Sequence, residues 1–180
     1  MRHCLKMNKR WHEIFPRSGK GKQMIQIIDW IQQYQMHNKR LLDFGCGKGG
    51  TMDWIRSLYS DVEVTGWDPG TDQYHTPPRR QFDGIYSIDV WEHIEREDLA
   101  NTITQLKRLS HPKTEWCHII DLTPARKRLP DGRNAHVTLM TAREWMQFFQ
   151  THTEVTQCSQ FAEKDKLYGE RVRCQIHCRP

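Results

Sequence analysis

Arg40-Leu-Leu-Asp-Phe-Gly-Cys-Gly-Lys-Gly-Gly50 is the stretch whose reading decides the fold. Leu41, Leu42 and Phe44 make a short apolar strand, and glycines at 45, 47, 49 and 50 then turn the chain. Trp54, Ile55 and Leu58 follow at helical spacing within Thr51–Tyr59. A strand, a glycine turn and a helix in that order let the backbone pass close to a nucleotide-like ligand. Read as G-x-G-x-x-G through Gly45, Gly47 and Gly50, the loop would suit a dinucleotide. Read as D-x-G-x-G-x-G, it begins with Asp43. A carboxylate there disfavours a pyrophosphate and suits a ligand carrying an ammonium and a sulfonium. Asp68 ends the next strand, Val62–Trp67, where it can accept hydrogen bonds from both hydroxyls of a ribose.

Outward from this loop the pattern alternates. Met24, Ile27, Ile28, Ile31 and Tyr34 share one helical face between Lys22 and Gln35. Residues 69–81 contain Pro69, Gly70, Pro77 and Pro78 and read as loop. Phe82–Ile88 is a strand, and a helix is expected after it through Leu109, with Leu99, Ile103 and Leu106 inward. Glu115–Leu122 is a strand and Thr123–Asn134 a loop. Thr141-Ala-Arg-Glu144 is a capping box, so a helix starts near Ala142. Residues 154–161 and 170–178 read as a closing strand pair. The alternation up to residue 150 predicts an α/β fold with a mostly parallel sheet and helices on both faces.

Leu41–Gly50, Val64–Asp68 and Phe82–Ile94 together resemble the motifs of class I methyltransferases that use S-adenosylmethionine (SAM). The resemblance covers roughly residues 22–150. It implies a Rossmann-like sheet and a SAM site at Asp43, Gly45, Cys46, Gly47 and Asp68, with main-chain contacts at Ile88 and Asp89. In that family a helix and a third strand stand between the ribose acid and the next strand. The proline-broken residues 69–81 leave no room for them, so the sheet is expected to lack its third strand and to carry an antiparallel pair at one edge. Tyr74 or Phe82 then offers itself as the adenine-side wall.

Ser87-Ile-Asp-Val-Trp-Glu-His-Ile94 follows the strand that abuts the methyl donor. If Asp89 opens a helix, Asp89, Glu92 and His93 share a face at i, i+3 and i+4. His136 lies in the loop facing the same strand ends. These four are expected as ligands of a divalent metal (Mg, Mn, Fe or Zn). The D-x-x-E-H cluster is similar to the E-x-x-E-H of two metal-dependent groups, the small-RNA 2′-O-methyltransferases and the ubiquinone-biosynthesis O-methyltransferases. In the RNA group a later histidine stands five residues before the threonine of a W-T-x-x-E-F segment, as His136 stands before Thr141. D-V-x-E-H-I also occurs in class I enzymes that need no metal. There His93 or His136 would act as general base toward a hydroxyl.

Composition bounds the rest. The 180 residues carry 37% hydrophobic and 27% charged residues, as one soluble domain does. We expect an arm over 1–21, with Trp11 and Phe15 able to close over the cofactor, and a SAM-binding domain over 22–180. No apolar run approaches the ~20 residues of a membrane span, and no signal peptide is evident. Six cysteines without a C-x-x-C pair read as reduced thiols in a cytoplasmic protein. Cys174, His177 and Cys178 lie on a strand pattern that points them to opposite faces, which argues against a metal there. Net charge is +5, and Arg126-Lys127-Arg128 is a cluster that could meet phosphate. The expected activity is methylation of a hydroxyl on a small molecule such as a sugar, polyol or catechol-like compound. Terminal ribose of RNA is an alternative acceptor, and SAM binding without transfer an alternative function. A nicotinamide oxidoreductase is disfavoured by Asp43. The sequence leaves the oligomeric state open.

Overall fold

A computed structural model describes residues 20–165 and 169–180. Residues 1–19, which hold Trp11, Phe15 and nearly all of the expected arm, lie outside the described residues. The elements run α1 (Ile25–Gln33), β1 (Arg40–Phe44), α2 (Gly50–Leu58), β2 (Glu63–Trp67), β3 (Phe82–Ile88), α3 (Leu99–Arg108), β4 (Ser110–Asp121), α4 (Ala142–His152), β5 (Glu154–Asp165) and β6 (Gly169–Arg179). They build one six-stranded sheet in the order β2-β1-β3-β4-β6-β5. β1 pairs in parallel with β2 and β3, and β3 with β4. β6 runs antiparallel between β4 and β5. This is the Rossmann-like class I sheet with an antiparallel edge pair.

Side chains alternate across β1, so Leu42 and Phe44 face one core and Leu41 the other. The first core joins Trp91, Ile103, Trp116, Trp145 and Phe149. The second joins Ile27, Trp30, Ile31, Met52, Ile55 and Ile119 under α1 and α2. Thr141 caps α4 as expected, its hydroxyl accepting from Glu144 N while the Glu144 carboxylate accepts from Thr141 N.

No strand forms between Asp68 and Phe82, so the third strand of the family is absent. The chain turns there instead, closed by Asp68 N donating to Tyr74 O at 2.9 Å. The expected continuous helix after β3 is not formed: Asp89 adopts a left-handed backbone (φ 52°), Trp91–His93 and Arg96–Asp98 are single 3-10 turns, and α3 begins only at Leu99. A left-handed non-glycine residue interrupts a right-handed helix before it starts. Asp89 is held there by its side-chain partners, described below.

Candidate active site

The glycine loop leaves β1 at its carboxyl end. Gly45 N donates to Trp67 O at 2.8 Å, and Gly49 N to Cys46 O at 2.9 Å. Gly45 has φ 75°, and a Cβ there would sit 2.3 Å from Val90 Cγ2, so only glycine fits. Asp68 binds the loop from β2: its Oδ2 accepts from Gly47 N at 2.8 Å and its Oδ1 from Gly70 N at 2.7 Å. Each carboxylate oxygen keeps a second lone pair, as an acceptor for ribose requires. Cys46 is buried beside Met52, and burial pushes its thiol up, so it fills space and offers no thiolate. Tyr74 stands against the loop, its hydroxyl 2.8 Å from where a Gly49 Cβ would be. Phe82 is fully buried in the first core and cannot line a ligand site.

Asp43 is buried, 3% exposed. Burial raises its carboxyl to about 7; the neighbouring Tyr86 hydroxyl lowers it in part, and Asp68 raises it again. The Tyr86 contact falls short of a formed hydrogen bond, since Asp43 Oδ2 and the Tyr86 hydroxyl both lack a partner among the described residues. A buried acid this poorly satisfied is suited to receive a cation.

At the carboxyl end of β3 the structure brings Glu92, His93 and His136 together, one ligand atom of each lying within 4.8 Å of the others. The loop after β4 does this. Thr138 N donates to Glu92 O at 3.0 Å, and Thr138 Oγ1 to Ile94 O at 2.6 Å. Arg133 Nη1 reaches Glu95 at 2.7 Å. Asn134 Oδ1 accepts from both Ala125 N and His136 N, at 3.0 and 2.9 Å. The imidazoles meet edge to face with centroids 4.8 Å apart. Each is oriented by a carbonyl: His93 Nδ1 donates to Ala135 O at 2.8 Å and His136 Nδ1 to Thr123 O at 2.6 Å. That places the lone pair of each neutral ring on Nε2. Burial lowers both; His136, with His93 beside it, falls to about 4. Glu92 is fully buried, and its Oε2 has no partner among the described residues. Burial first, then Asp89 and Asp121, push its carboxyl well up.

Asp89 is not in that group. It lies within reach of Glu92 and Asp121 instead. Arg173 Nε and Nη2 donate to its two oxygens at 2.9 and 3.2 Å, and Lys22 Nζ adds a further bond. Burial opposes its charge, but Lys22 and Arg173 outweigh it and hold the carboxyl down at about 2. The common helical face expected for Asp89, Glu92 and His93 does not exist, because Asp89 precedes any helical turn. Asp121, Arg171 and Arg173 escaped the sequence reading. Arg171 Nε binds Asp121 at 2.8 Å, and fully buried Arg173 also reaches Glu163 at 2.7 Å. Asp121 ends a strand as Asp68 does, a signal that could have found it. A cavity of about 450 Å³ lined by Leu122, Thr123, Leu139, Met140 and Val172 opens beside the His136 loop. Cys174 and Cys178 face the first core, while His177 faces the other side and bonds Gln175 at 2.7 Å, so they form no site together. Cys46, Cys117, Cys158, Cys174 and Cys178 are free thiols. Among the described residues no helix is long and apolar enough to cross a membrane.

Solved structures share this fold. TehB from Haemophilus influenzae superposes with TM-score 0.65 at 12% identity, over 96% of this chain and 66% of that one, so the chain spans just under two thirds of TehB. Magnesium protoporphyrin IX methyltransferase from Synechocystis PCC 6803, solved with bound SAM, gives TM-score 0.65 at 11% identity over 96% of each chain. The 1,6-didemethyltoxoflavin-N1-methyltransferase of Burkholderia thailandensis, solved with S-adenosylhomocysteine, gives TM-score 0.57 at 11% identity, over 84% of this chain and 76% of that one. No curated protein matches the sequence. A protein-family model described as "Methyltransferase domain" matches residues 8–157. Its span takes in the glycine loop, Asp68, the Glu92–His93 turn and His136, and the chain belongs to that methyltransferase family.

Proposed function

We propose that the chain transfers the methyl group of SAM to an oxygen of a hydroxyl compound, and that Glu92, His93 and His136 handle that acceptor. One observation carries the reading: two neutral imidazoles, each fixed through Nδ1 by a main-chain carbonyl, stand beside the buried carboxyl group of Glu92 at the end of β3. The neutral form is the basic form. An acceptor O–H gives its proton to Nε2 of His136 or His93, and the oxygen attacks the methyl carbon in line. The carbon–sulfur bond breaks, its electron pair stays on sulfur, and S-adenosylhomocysteine leaves neutral at sulfur. Asp43 meets the positive charge of the donor, and Asp68 its ribose.

The same residues suit a divalent cation. Glu92 Oε2 has no partner among the described residues, a cation there would favour the charged form that burial disfavours, and carbonyl-oriented imidazoles are the usual form of histidine ligands. In that case Glu92 and the two Nε2 atoms of His93 and His136 would hold the ion in place of accepting the proton, with Asp89 turned away to Arg173. When bound, such an ion lowers the pKa of a coordinated hydroxyl and orients it. The cavity beside the His136 loop, with Thr123, Thr141, Glu144 and Gln160 in its walls beside Leu122, Leu139, Met140 and Val172, is of a size for a small-molecule acceptor. RNA remains the second reading, because Arg126, Lys127 and Arg128 lie on the same loop as His136.

The test is methyl transfer from labelled SAM into a panel of sugars, polyols, catechols and RNA with a free terminal ribose, with products located by mass spectrometry. Methyl on oxygen, lost with chelator and restored by Mn or Mg, is the expected result. Methyl on nitrogen, or binding of SAM with no S-adenosylhomocysteine formed, would contradict the proposal.

A further inference from the structure

Residues 20–22 lie backbone against backbone on the start of α2. A Cβ on Gly50 would fall 1.7 Å from Lys20 O, and one on Gly21 2.4 Å from Thr51 N. Thr51 Oγ1 accepts from Lys22 N at 3.0 Å and donates to Lys22 O at 3.1 Å. The Lys22 main chain is thereby clipped to the helix that the glycine loop opens. From that clip its ammonium crosses to the carboxylate of Asp89 at the end of β3. Lys22 thus bridges the helix that the glycine loop opens and the end of β3, the two places between which the donor reading lays SAM.

We propose that Lys22 is the partner of the methionine carboxylate of SAM, a reading that rests on SAM being the donor. A carboxylate leaving water for this site needs a cation. Arg173 cannot serve: it is fully buried and already committed to Asp89, Glu163 and Asp121. Lys22 can. Its side chain is 38% exposed, and if it swings away, Asp89 keeps both bonds from Arg173. The exchange therefore orphans no buried carboxylate. A lysine ammonium is a compact charge on a flexible stem with three donors, suited to such a change of partner. Asp43 on β1 then meets the cationic part of the donor, and Lys22 ahead of α1 meets its anionic part.

Calorimetry with two ligands isolates the contact. S-adenosylhomocysteine carries the methionine carboxylate; 5′-methylthioadenosine has the same nucleoside thioether and lacks the amino-acid end. Lys22→Met should weaken S-adenosylhomocysteine by about tenfold or more and 5′-methylthioadenosine by less than about twofold. Lys22→Arg, which keeps the charge and the clip, should recover most of the loss. Thermal melting of each variant, followed by circular dichroism, should stay near wild type. If Lys22→Met leaves S-adenosylhomocysteine unchanged, or weakens both ligands equally, Lys22 is only a structural clip and the proposal is overturned. A wild-type protein that binds neither ligand overturns the donor reading as well.

Discussion

Asp43 carries two opposite demands. Its carboxyl, raised by burial to about 7 from an ordinary 3.8, is half protonated at neutral pH in the unliganded fold. A cationic donor needs it ionised, so binding should release a proton. SAM affinity should strengthen by about tenfold from pH 6 to pH 8, a dependence that Asp43→Asn abolishes. The stability sign runs the other way. A folded-state pKa above the unfolded value costs stability as pH rises from about 4 through 7. Asp43→Asn should therefore raise the melting temperature of the unliganded protein at pH 8, by about 2–4 °C per kcal/mol recovered, while it weakens SAM. In the proposed reaction His136 handles the acceptor and makes no contact with the donor. His136→Ala should lower turnover about 100-fold or more, the usual range for loss of a proton-transfer group, and move SAM affinity by less than about twofold. Single-turnover kinetics and calorimetry on that variant separate the two effects.

Among the elements, the glycine turn was the most legible, because its chemistry is local. Strand, turn and helix follow from residues 40–59 alone, and Thr141 with Glu144 announces α4 in the same way. The prolines at 77 and 78 gave the missing strand for an equally local reason. The turn after β3 misled. Leu99, Ile103 and Leu106 do define a helix, but its start was extended back to Asp89 because nothing in Asp89–Asp98 reads as a breaker. Tertiary partners set that backbone: Arg173 comes from 84 residues away. At the element scale the clip of residues 20–22 on α2 makes a firm prediction. Gly50→Ala drives a methyl into Lys20 O and must lift that segment. Its SAM affinity should fall although helix propensity at that position improves, as calorimetry beside a melting curve would show.

Across the whole molecule, strand β6 hides the largest group that sequence could not reveal. Arg171, Arg173, Gln175 and His177 alternate like the wet face of an edge strand. In the sheet β6 lies inside β5, and that face is covered, so all four are buried. Carboxylates from three other strand ends or strands, Asp89, Asp121 and Glu163, satisfy the arginines. Removing one partner of such a network leaves buried charge uncompensated. Arg173→Met should cost about 3 kcal/mol or more in urea unfolding, although it removes no apolar contact. The same network ties Asp89 to Arg173, outside the group that Glu92, His93 and His136 form. The proposed chemistry requires SAM in the glycine loop between Asp43 and Asp68. Calorimetric titration of wild type and Asp68→Ala with SAM and with NAD tests that most directly. SAM should bind wild type with low-micromolar or tighter affinity, Asp68→Ala should lose about tenfold or more, and NAD should not bind measurably; NAD bound in preference to SAM would contradict a SAM site in this loop.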